Sequence, residues 1–268
     1  MNLDLKGKYA LVCGSTQGIG KAVAMELAIL GANVILLARN EQSLKQVKAE
    51  LTVSGNQLHS YLVADYNDTK NLKELVQAFI NRNGPINILV NNTGGPPSGP
   101  ITNAKEEEFI TAFNNHLICN QILAQTCFEG MKHSGYGRIV NIISTSVKAP
   151  LANLGVSNTI RAAVGNWAKT WANEVGKYGI TVNNVLPGAT LTGRLENIIQ
   201  TKATKTQHSV DKISEEMISE IPMARFANPF EIANAVCFLA SPAASYINGI
   251  NIPVDGGLRR RQRPFQVV

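Results

Sequence analysis

Short apolar runs alternate with segments of helical period along almost the whole chain. Short apolar runs, the first of them continuous, predict seven strands, at residues 9–13, 34–38, 59–63, 86–90, 138–143, 180–186 and 250–254. Between them, apolar residues recur at helical spacing. This spacing predicts helices at residues 21–30, 44–51, 72–79, 103–131, 162–175 and 213–221, the fourth opening on a capping box formed by Asn103 and Glu106.

This alternation of strand and helix is typical of one fold class. It predicts an α/β protein with a seven-stranded parallel sheet, covered by helices on both faces, in a single doubly wound Rossmann-type domain over residues 1–257. In such a fold, ligands bind in the crevice beyond the carboxyl ends of the strands. The motifs discussed below all fall at such strand ends.

Composition excludes several classes of protein. Of 268 residues, 44% are hydrophobic and 16% are charged, with a mean hydropathy of −0.02. A chain of this kind buries a large core, which excludes a disordered or disulfide-stapled protein. No apolar run approaches the roughly 18 residues of a membrane span, and the first residues lack the apolar stretch of a signal peptide, so we expect no membrane association and a cytoplasmic location. The four scattered cysteines indicate neither a metal site nor disulfides.

The net charge of +6 is concentrated in the tail at residues 258–268. Arg259, Arg260, Arg261 and Arg263 lie there without any acidic neighbour, which leaves +2 for the rest of the chain. A balance so close to neutral does not favour nucleic acid as a partner. The basic tail is either a solvated terminus or a contact for phosphate or a partner subunit.

A glycine-rich turn follows the first predicted strand and opens the first helix. Glycines at such a turn let the backbone N–H groups approach a diphosphate, which the helix N-terminus also attracts. The spacing is G-x-x-x-G-x-G rather than the common G-x-G-x-x-G, and a glycine turn without a ligand is the alternative. The candidate cofactor-binding residues are Gly14, Ser15, Thr16, Gln17, Gly18, Ile19 and Gly20.

The end of the second strand bears on which dinucleotide binds. A site for NAD(H) places a carboxylate there for the ribose 2′-hydroxyl, but this chain has Arg39 followed by Asn40. A guanidinium is suited to a 2′-phosphate, so NADP(H) is favoured over NAD(H). The alternative is a solvated arginine at the start of a helix.

These motifs and five further matches occur in the order of one known family. The sequence resembles the short-chain dehydrogenases/reductases, nearest in type to 3-oxoacyl-acyl-carrier-protein reductases. The further matches are Asp65 after the third strand, N-N-T-G at residues 91–94, G-R-I-V-N-I-I-S at residues 137–144, N-N-V-L-P-G at residues 183–188, and N-G-I-N-I-P-V-D-G-G at residues 248–257.

The resemblance implies an oxidoreductase that transfers hydride between NADP(H) and a small carbonyl or alcohol substrate, such as a 3-oxoacyl thioester. By the same resemblance Asp65 would contact the adenine, and Thr192 the nicotinamide carboxamide. The family usually forms tetramers or dimers. The remaining cofactor residues carried over from its motifs are Asn91, Thr93, Gly94, Pro187 and Gly188.

The catalytic pattern of that family is broken here. The family uses Asn, Ser, Tyr and Lys, and only the serine, Ser144, is retained. Ser157 stands where the tyrosine is expected, Arg161 where the lysine is expected, and His116 where the asparagine is expected. Arg161 still suits ribose hydroxyls, but it does not release a proton under ordinary conditions. Ser157 is a much weaker acid than a phenol, so the usual proton transfer is in doubt.

Three other proton donors are therefore candidates: His116, which titrates near neutrality when unperturbed, Lys148 if it is desolvated, and water. The alternatives are that His116 is a packed core residue and Lys148 a solvated one. Two other functions also remain open: a homologue that binds NADP(H) with little turnover, as a sensor or partner subunit, and a different reaction such as a dehydration or isomerisation.

Two loops are expected to shape the substrate site. Residues 94–100 form a stiff, proline-rich turn, and residues 189–210 form a long polar loop that acts as a lid. Arg194, Lys202 and Lys205 in this second loop favour an anionic substrate such as a phosphopantetheine thioester, unless they are merely solvated. The apolar segments 162–172 and 235–239 suggest subunit contacts.

Overall fold

Seven parallel strands form one sheet in the order β3-β2-β1-β4-β5-β6-β7. The structure is a computed structural model that describes residues 1–258, so the arginine-rich tail lies outside the described residues. The predicted doubly wound sheet is confirmed, and each strand end lies within two residues of its predicted position. The strands are β1 (Tyr9–Cys13), β2 (Asn33–Ala38), β3 (Ser60–Val63), β4 (Ile88–Asn91), β5 (Gly137–Ile142), β6 (Ile180–Pro187) and β7 (Asn251–Val254).

Helices cover both faces because alternate strand residues point in opposite directions. In β1, Ala10 and Val12 belong to one apolar core, and Leu11 and Cys13 to the other. The first core lies against α1, α2 and α9, and the second against α3, α5 and α6. The helices are α1 (Gly18–Ile29), α2 (Glu41–Glu50), α3 (Thr69–Asn83), α4 (Glu106–Phe113), α5 (Cys119–Ser134), α6 (Gly155–Val175), α7 (Gly193–Thr206), α8 (Val210–Ser219) and α9 (Pro229–Ala240).

The predicted long helix at residues 103–131 is two helices joined by a π-helical turn, Asn114–Ile118. Its predicted capping box was wrong, because Asn103 ends a short 3-10 turn before α4. The N3 residue Glu108 instead accepts a hydrogen bond from the backbone N–H of Lys105 at 2.8 Å. Single π turns inside helices are frequent at functional sites, and His116 lies on this one.

Two helical segments were missed because polar residues obscure their pattern. The helix predicted at 162–175 begins instead at Gly155, before the polar run Ser157, Asn158 and Thr159. The predicted lid loop at 189–210 was also wrong, since most of it is α7. Leu195, Ile199 and Ala203 recur at helical spacing there and pack with Ile213 of α8.

The apolar segments assigned to subunit contacts are explained by packing within the chain. In α6, Val164, Ala168 and Ala172 are at most 3% exposed. The segment 235–239 lies in α9, which packs against α1, with Val236 and Leu239 fully buried. An oligomer therefore remains a prediction that rests on the family resemblance alone. Within residues 1–258, no helix combines the length and the apolar character needed to cross a membrane.

A row of asparagine side chains crosses the sheet. Asn91, Asn141, Asn184 and Asn251 occupy paired positions on β4, β5, β6 and β7. Each amide Nδ2 donates to the next Oδ1, at 2.8, 2.8 and 2.7 Å. The first three side chains are nearly or fully buried, so this ladder satisfies polar groups that would otherwise be costly in the core. It ties β4, β5 and β6, whose ends carry much of the candidate site, to one another and to β7.

Removing the middle of the ladder tests its contribution. Asn141→Ala leaves the Nδ2 of Asn91 and the Oδ1 of Asn184 buried without partners. We expect the free energy of unfolding to fall by about 3 kcal/mol, measured by urea denaturation. The control Asn71→Ala removes an exposed amide and is expected to change it by at most about 0.5 kcal/mol. Equal losses in the two variants would mean that the ladder adds nothing to stability.

Candidate cofactor site and active site

The glycine turn adopts a conformation that only glycine takes without strain. Gly14 and Gly18 have φ angles of +59° and +53°. A β carbon at Gly14 or Gly20 would lie 2.8 Å from Nδ2 of Asn92. That amide donates to the backbone oxygens of Cys13 and Gly14 at 3.2 and 3.3 Å, which fixes the turn against the end of β4. Sequence reasoning missed this role of Asn92, although its place in the N-N-T-G motif was a signal.

The N-terminus of α1 opens toward the crevice, the cleft beyond the carboxyl ends of β1, β4, β5 and β6. Its N-cap residue, Gln17, is exposed and makes no side-chain cap. The first N–H groups of a helix lack partners within it, so this end suits a diphosphate. Across the crevice, Cγ2 of Thr192 lies 3.1 Å from the position of a β carbon on Gly18.

Ser15 differs from the rest of the turn. It is fully buried, and its Oγ accepts a hydrogen bond from the backbone N–H of Leu37 at 3.0 Å. Its hydroxyl therefore holds β2 and does not line the crevice, so the predicted cofactor contact of Ser15 falls to its backbone. Thr16 and Ile19 are half-buried.

At the end of β2, Arg39 is exposed. Within residues 1–258 its guanidinium has neither a salt bridge nor a hydrogen bond to a side chain. The neighbouring Asn40 caps α2, accepting from the N–H of Ser43 at 2.8 Å. The nearest acid in sequence, Glu41, is engaged by Lys45 and Tyr61, so Arg39 is available for an anion.

After β3, Oδ1 of Asp65 accepts a hydrogen bond from the backbone N–H of Asn67 at 3.0 Å.

The ends of β4 and β6 complete the cofactor side. After β4, Gly94 is exposed, and a β carbon there would meet nothing within 4 Å. Pro187 ends β6 and is half-buried, and a β carbon on the next residue, Gly188, would lie 2.7 Å from Cα of Asp255, so the chain needs glycine there. Thr192 caps α7 by accepting from the N–H of Leu195 at 3.4 Å.

Ser144 and Ser157 differ in exposure. Ser144 follows β5, is half-buried, and accepts from the N–H of Ser146 at 3.1 Å. Its hydroxyl proton is not needed for that bond and can be donated to a substrate oxygen. Ser157 is 9% exposed and lies one turn before Arg161 on α6. The predicted shared helical face of these two residues is therefore present.

Arg161 is a buried cation without an acidic partner. It is 9% exposed, and its Nη1 donates to the carbonyl oxygen of Ile142, at the end of β5, at 2.7 Å. Its Nε is buried and has no hydrogen-bond partner in the described part of the chain. Burial, and then the positive charge of Arg194, lower the pKa of Arg161 to about 10. The guanidinium therefore stays charged at neutral pH.

A small polar cavity lies beside this guanidinium, with room for about one water molecule. Two groups that face it have no partner among residues 1–258, the acceptor Oδ1 of Asn91 and the donor Nε of Arg161. A single water would satisfy both groups. The lining residues are Asn91, Asn92, Thr93, His116, Asn120, Ile142, Ile143, Arg161 and Val164.

The two side chains proposed as proton donors lie in surroundings that differ from those the hypothesis needs. His116 is 4% exposed. Its burial, and to a smaller extent the positive charge of Arg161, lower its pKa to about 2, although a hydrogen bond with the backbone of Gly94 acts in the opposite direction. Its ring is therefore neutral near pH 7 and has no imidazolium proton to give. Lys148 is exposed, so the desolvation required by the hypothesis is missing.

The three basic residues of the predicted lid lie on α7 but have different surroundings. Lys202 pairs with Glu216 of α8 at 3.3 Å, and Lys205 is exposed. Arg194 instead reaches back across the crevice, where its Nη2 donates to the carbonyl oxygen of Pro96 at 2.8 Å. Only Arg194 of this group is placed toward the active site.

Comparison with known proteins reveals similarity over nearly the full length. A family model described as enoyl-(acyl carrier protein) reductase matches residues 14–259. The 3-oxoacyl-acyl-carrier-protein reductase FabG of Vibrio cholerae is 33% identical, with 96% of this chain and 99% of that protein covered. The NADPH-dependent reductase BacG of Bacillus subtilis is 30% identical, with 93% of this chain and 97% of that protein covered.

Solved structures agree with these relatives. The L-sorbose reductase of Gluconobacter frateurii, complexed with NADPH and L-sorbose, superposes with a TM-score of 0.90 at 29% identity, over 97% of this chain and 99% of that one. A protein described as a short chain dehydrogenase/reductase family member gives a TM-score of 0.80 at 31% identity, over 95% of this chain and 98% of that one.

The neutral state of His116 predicts a specific loss of stability in acid. In the unfolded chain its pKa returns to about 6.5, so between pH 6.5 and pH 2 the unfolded state binds a proton that the native state does not. This group therefore lowers the free energy of unfolding by about 1.4 kcal/mol per pH unit as the pH falls below 6.5. In His116→Gln that contribution disappears.

Urea denaturation of both proteins from pH 8 to pH 4.5 measures the difference. The two curves are expected to run parallel at pH 7 to 8, and the wild type is expected to fall more steeply below pH 6.5. Parallel curves over the whole range would contradict a neutral, buried His116.

Proposed function

The chain belongs to the short-chain dehydrogenase/reductase family, and on that premise we propose that it is an NADP(H)-dependent oxidoreductase acting on the carbonyl or alcohol group of a small molecule, with 3-oxoacyl thioesters among the candidate substrates. The observation that carries the proposal is the uncapped N-terminus of α1 at a glycine turn, facing Thr192 across the crevice. Its relatives include a 3-oxoacyl-acyl-carrier-protein reductase and an NADPH-dependent reductase.

The residues present fit a dinucleotide. The backbone of the glycine turn from Gly14 to Gly20 would hold the diphosphate at the uncapped N-terminus of α1, and Asn92 packs against both ends of the turn and keeps it in place. Asp65 would contact the adenine, Thr192 the carboxamide, and Arg161 the hydroxyls of the nicotinamide ribose. Asn91, Thr93, Gly94, Pro187 and Gly188 would form the walls between them.

Arg39 supports NADP(H) over NAD(H). It lies at the end of β2, where an enzyme specific for NAD(H) needs a carboxylate, and its guanidinium is exposed. A 2′-phosphate accepts charge-assisted hydrogen bonds from such a group. A 2′-hydroxyl without an acidic partner gains little there.

In the proposed reaction, bound NADPH supplies the hydride to the carbonyl carbon. Ser144 donates a hydrogen bond to the substrate oxygen, which stabilises the negative charge that develops there. Ser157 and Arg161 occupy the positions of the family's tyrosine and lysine. Arg161 contributes a fixed positive charge, and Ser157 is too short and too weakly acidic to replace a phenol.

We assign the proton to water. His116 is neutral and buried, and Lys148 is solvated, so neither has the environment that a proton donor requires. Ser144 is half-buried, so solvent reaches the side of the crevice where the oxygen would bind. A water hydrogen-bonded to that oxygen would deliver the proton directly and leave hydroxide, which bulk solvent neutralises. The ionic state of the side chains would then have little effect on the rate near neutral pH.

The second candidate function is a homologue that binds NADP(H) with little turnover, as a sensor or partner subunit. The observation in its favour is the Ser157–Arg161 pair, which keeps a cation for the cofactor and lacks the usual acid. Both functions share the cofactor site, so only turnover separates them. We further propose one catalytic domain over residues 1–257 that assembles into a tetramer or dimer.

Reversing the charge at Arg39 tests cofactor choice. In Arg39→Asp the attraction to the 2′-phosphate becomes repulsion, and the carboxylate accepts from a 2′-hydroxyl. We expect NADPH to bind at least about 30-fold more weakly, a loss of about 2 kcal/mol, and NADH to bind more tightly, both measured by fluorescence titration. Lys48→Asp, the same change of charge on an exposed residue of α2, should leave the ratio of the two affinities unaltered. An unchanged ratio in Arg39→Asp would contradict the assignment.

Removing the hydroxyl of Ser144 tests the reaction. We expect Ser144→Ala to slow single-turnover oxidation of bound NADPH by about 100-fold, the effect of losing one donor to a developing oxyanion, while NADPH affinity stays the same. A panel of ketones and 3-oxoacyl thioesters serves as substrate, and Ser219→Ala, an exposed serine at the end of α8, is the control. No oxidation by the wild type across the panel would favour the binding-only function instead.

A further inference from the structure

We propose that Arg161 and Arg194 form an anion subsite, which binds a carboxylate or phosphate group on the substrate. The proposal rests on the proposed function and adds the substrate class. Both guanidinium groups approach Gly95: a β carbon there would lie 3.4 Å from Nη2 of Arg194 and 3.8 Å from Nη2 of Arg161. Two like charges thus meet at one point of the crevice.

No acidic side chain compensates these charges. Neither arginine forms a salt bridge within residues 1–258, and each donates to a neutral carbonyl, Arg161 to Ile142 and Arg194 to Pro96. A buried cation is costly unless it is paired with an anion. The Nε of Arg161, on a side chain that is more than nine-tenths buried, has no partner at all in the described chain. A water in the small cavity beside Asn91 would satisfy that hydrogen bond but not the charge, so two close cations still lack an anion.

The cofactor does not supply a negative charge that compensates Arg161 and Arg194. The ribose hydroxyls are neutral and leave the positive charge uncompensated. The diphosphate site is at the end of β1, whereas Arg161 is bonded to the end of β5, two strand spacings away, or about 9–10 Å. Ile142 is two residues before Ser144, so the subsite borders the position of the reacting carbonyl. An anionic group on the substrate fits both the charge and the location.

Arginine suits this role better than lysine. Its planar fork presents two parallel N–H donors to a carboxylate or phosphate, and Arg161 is held rigidly by α6 and the carbonyl of Ile142. Arg194 lies at the start of α7, exposed on its outer side. Its hydrogen bond to Pro96 can be exchanged for one to the anion as the substrate enters.

Matched acids and esters test the subsite by binding alone. The probes are oxo acids with two to five carbons between ketone and carboxylate, each beside its methyl ester. Calorimetry with saturating NADP⁺, which cannot reduce a ketone, measures their affinities without turnover. We expect at least one acid to bind the wild type about tenfold or more tightly than its ester, as one charge-assisted contact provides.

Variants of Arg194 identify the source of that preference. Arg194→Gln is expected to reduce the ratio of acid to ester affinity to near one, and Arg194→Lys to retain part of it. Lys205→Gln removes one positive charge from an exposed position of the same helix and is expected to leave the ratio unchanged. Because Arg194 is exposed, these variants avoid the folding risk of changing Arg161.

Three other outcomes would overturn the subsite. Equal binding of every acid and ester, with normal NADP⁺ affinity, refutes the subsite and leaves the proposed function standing. If Arg194→Gln weakens NADP⁺ about tenfold while the ratio persists, the anion is the cofactor's own diphosphate. Failure of the wild type to bind NADP⁺ or NADPH at millimolar concentration refutes the proposed function, and the subsite with it.

Discussion

The buried guanidinium of Arg161 is the constraint on which the active-site region depends. Helix α6 carries it to the end of β5, where the carbonyl oxygen of Ile142 is its one hydrogen-bond acceptor within residues 1–258. Its charge helps to keep His116 neutral, and the charge of Arg194 in turn lowers the pKa of Arg161. This end of the crevice is therefore positive, and groups that carry negative charge, or develop it, are stabilised there.

The fold was largely predictable because its signals are local. Each strand contains a short apolar run, and α1 and α3 show the expected periodicity, so the alternation of strand and helix predicted the doubly wound sheet. The errors have a common physical cause. The start of α6 contains the polar residues Ser157, Asn158 and Thr159, and α7 is also mostly polar. Both segments form helices because burial of a narrow apolar stripe overrides their weak helix propensity.

Some features of the candidate site could likewise be predicted from the sequence, and others could not. The glycine turn could be predicted because its positive φ angles restrict the residue type at each position. The environments of His116 and Lys148 could not, since burial depends on which elements pack around a side chain. The asparagine ladder also escaped notice, because it exists only when strand register brings Asn91, Asn141 and Asn184 side by side.

On the proposed function, the exchange of tyrosine and lysine for Ser157 and Arg161 separates two tasks that the family's pair performs together. A permanent guanidinium keeps the electrostatic task of attracting the cofactor ribose and negative charge, but it gives up the transfer of a proton. Ser157 is a much weaker acid than a phenol, so the proposed proton donor to the reacting oxygen is water. A site that gains a fixed charge and loses its acid is better suited to orienting an anionic substrate than to controlling protonation.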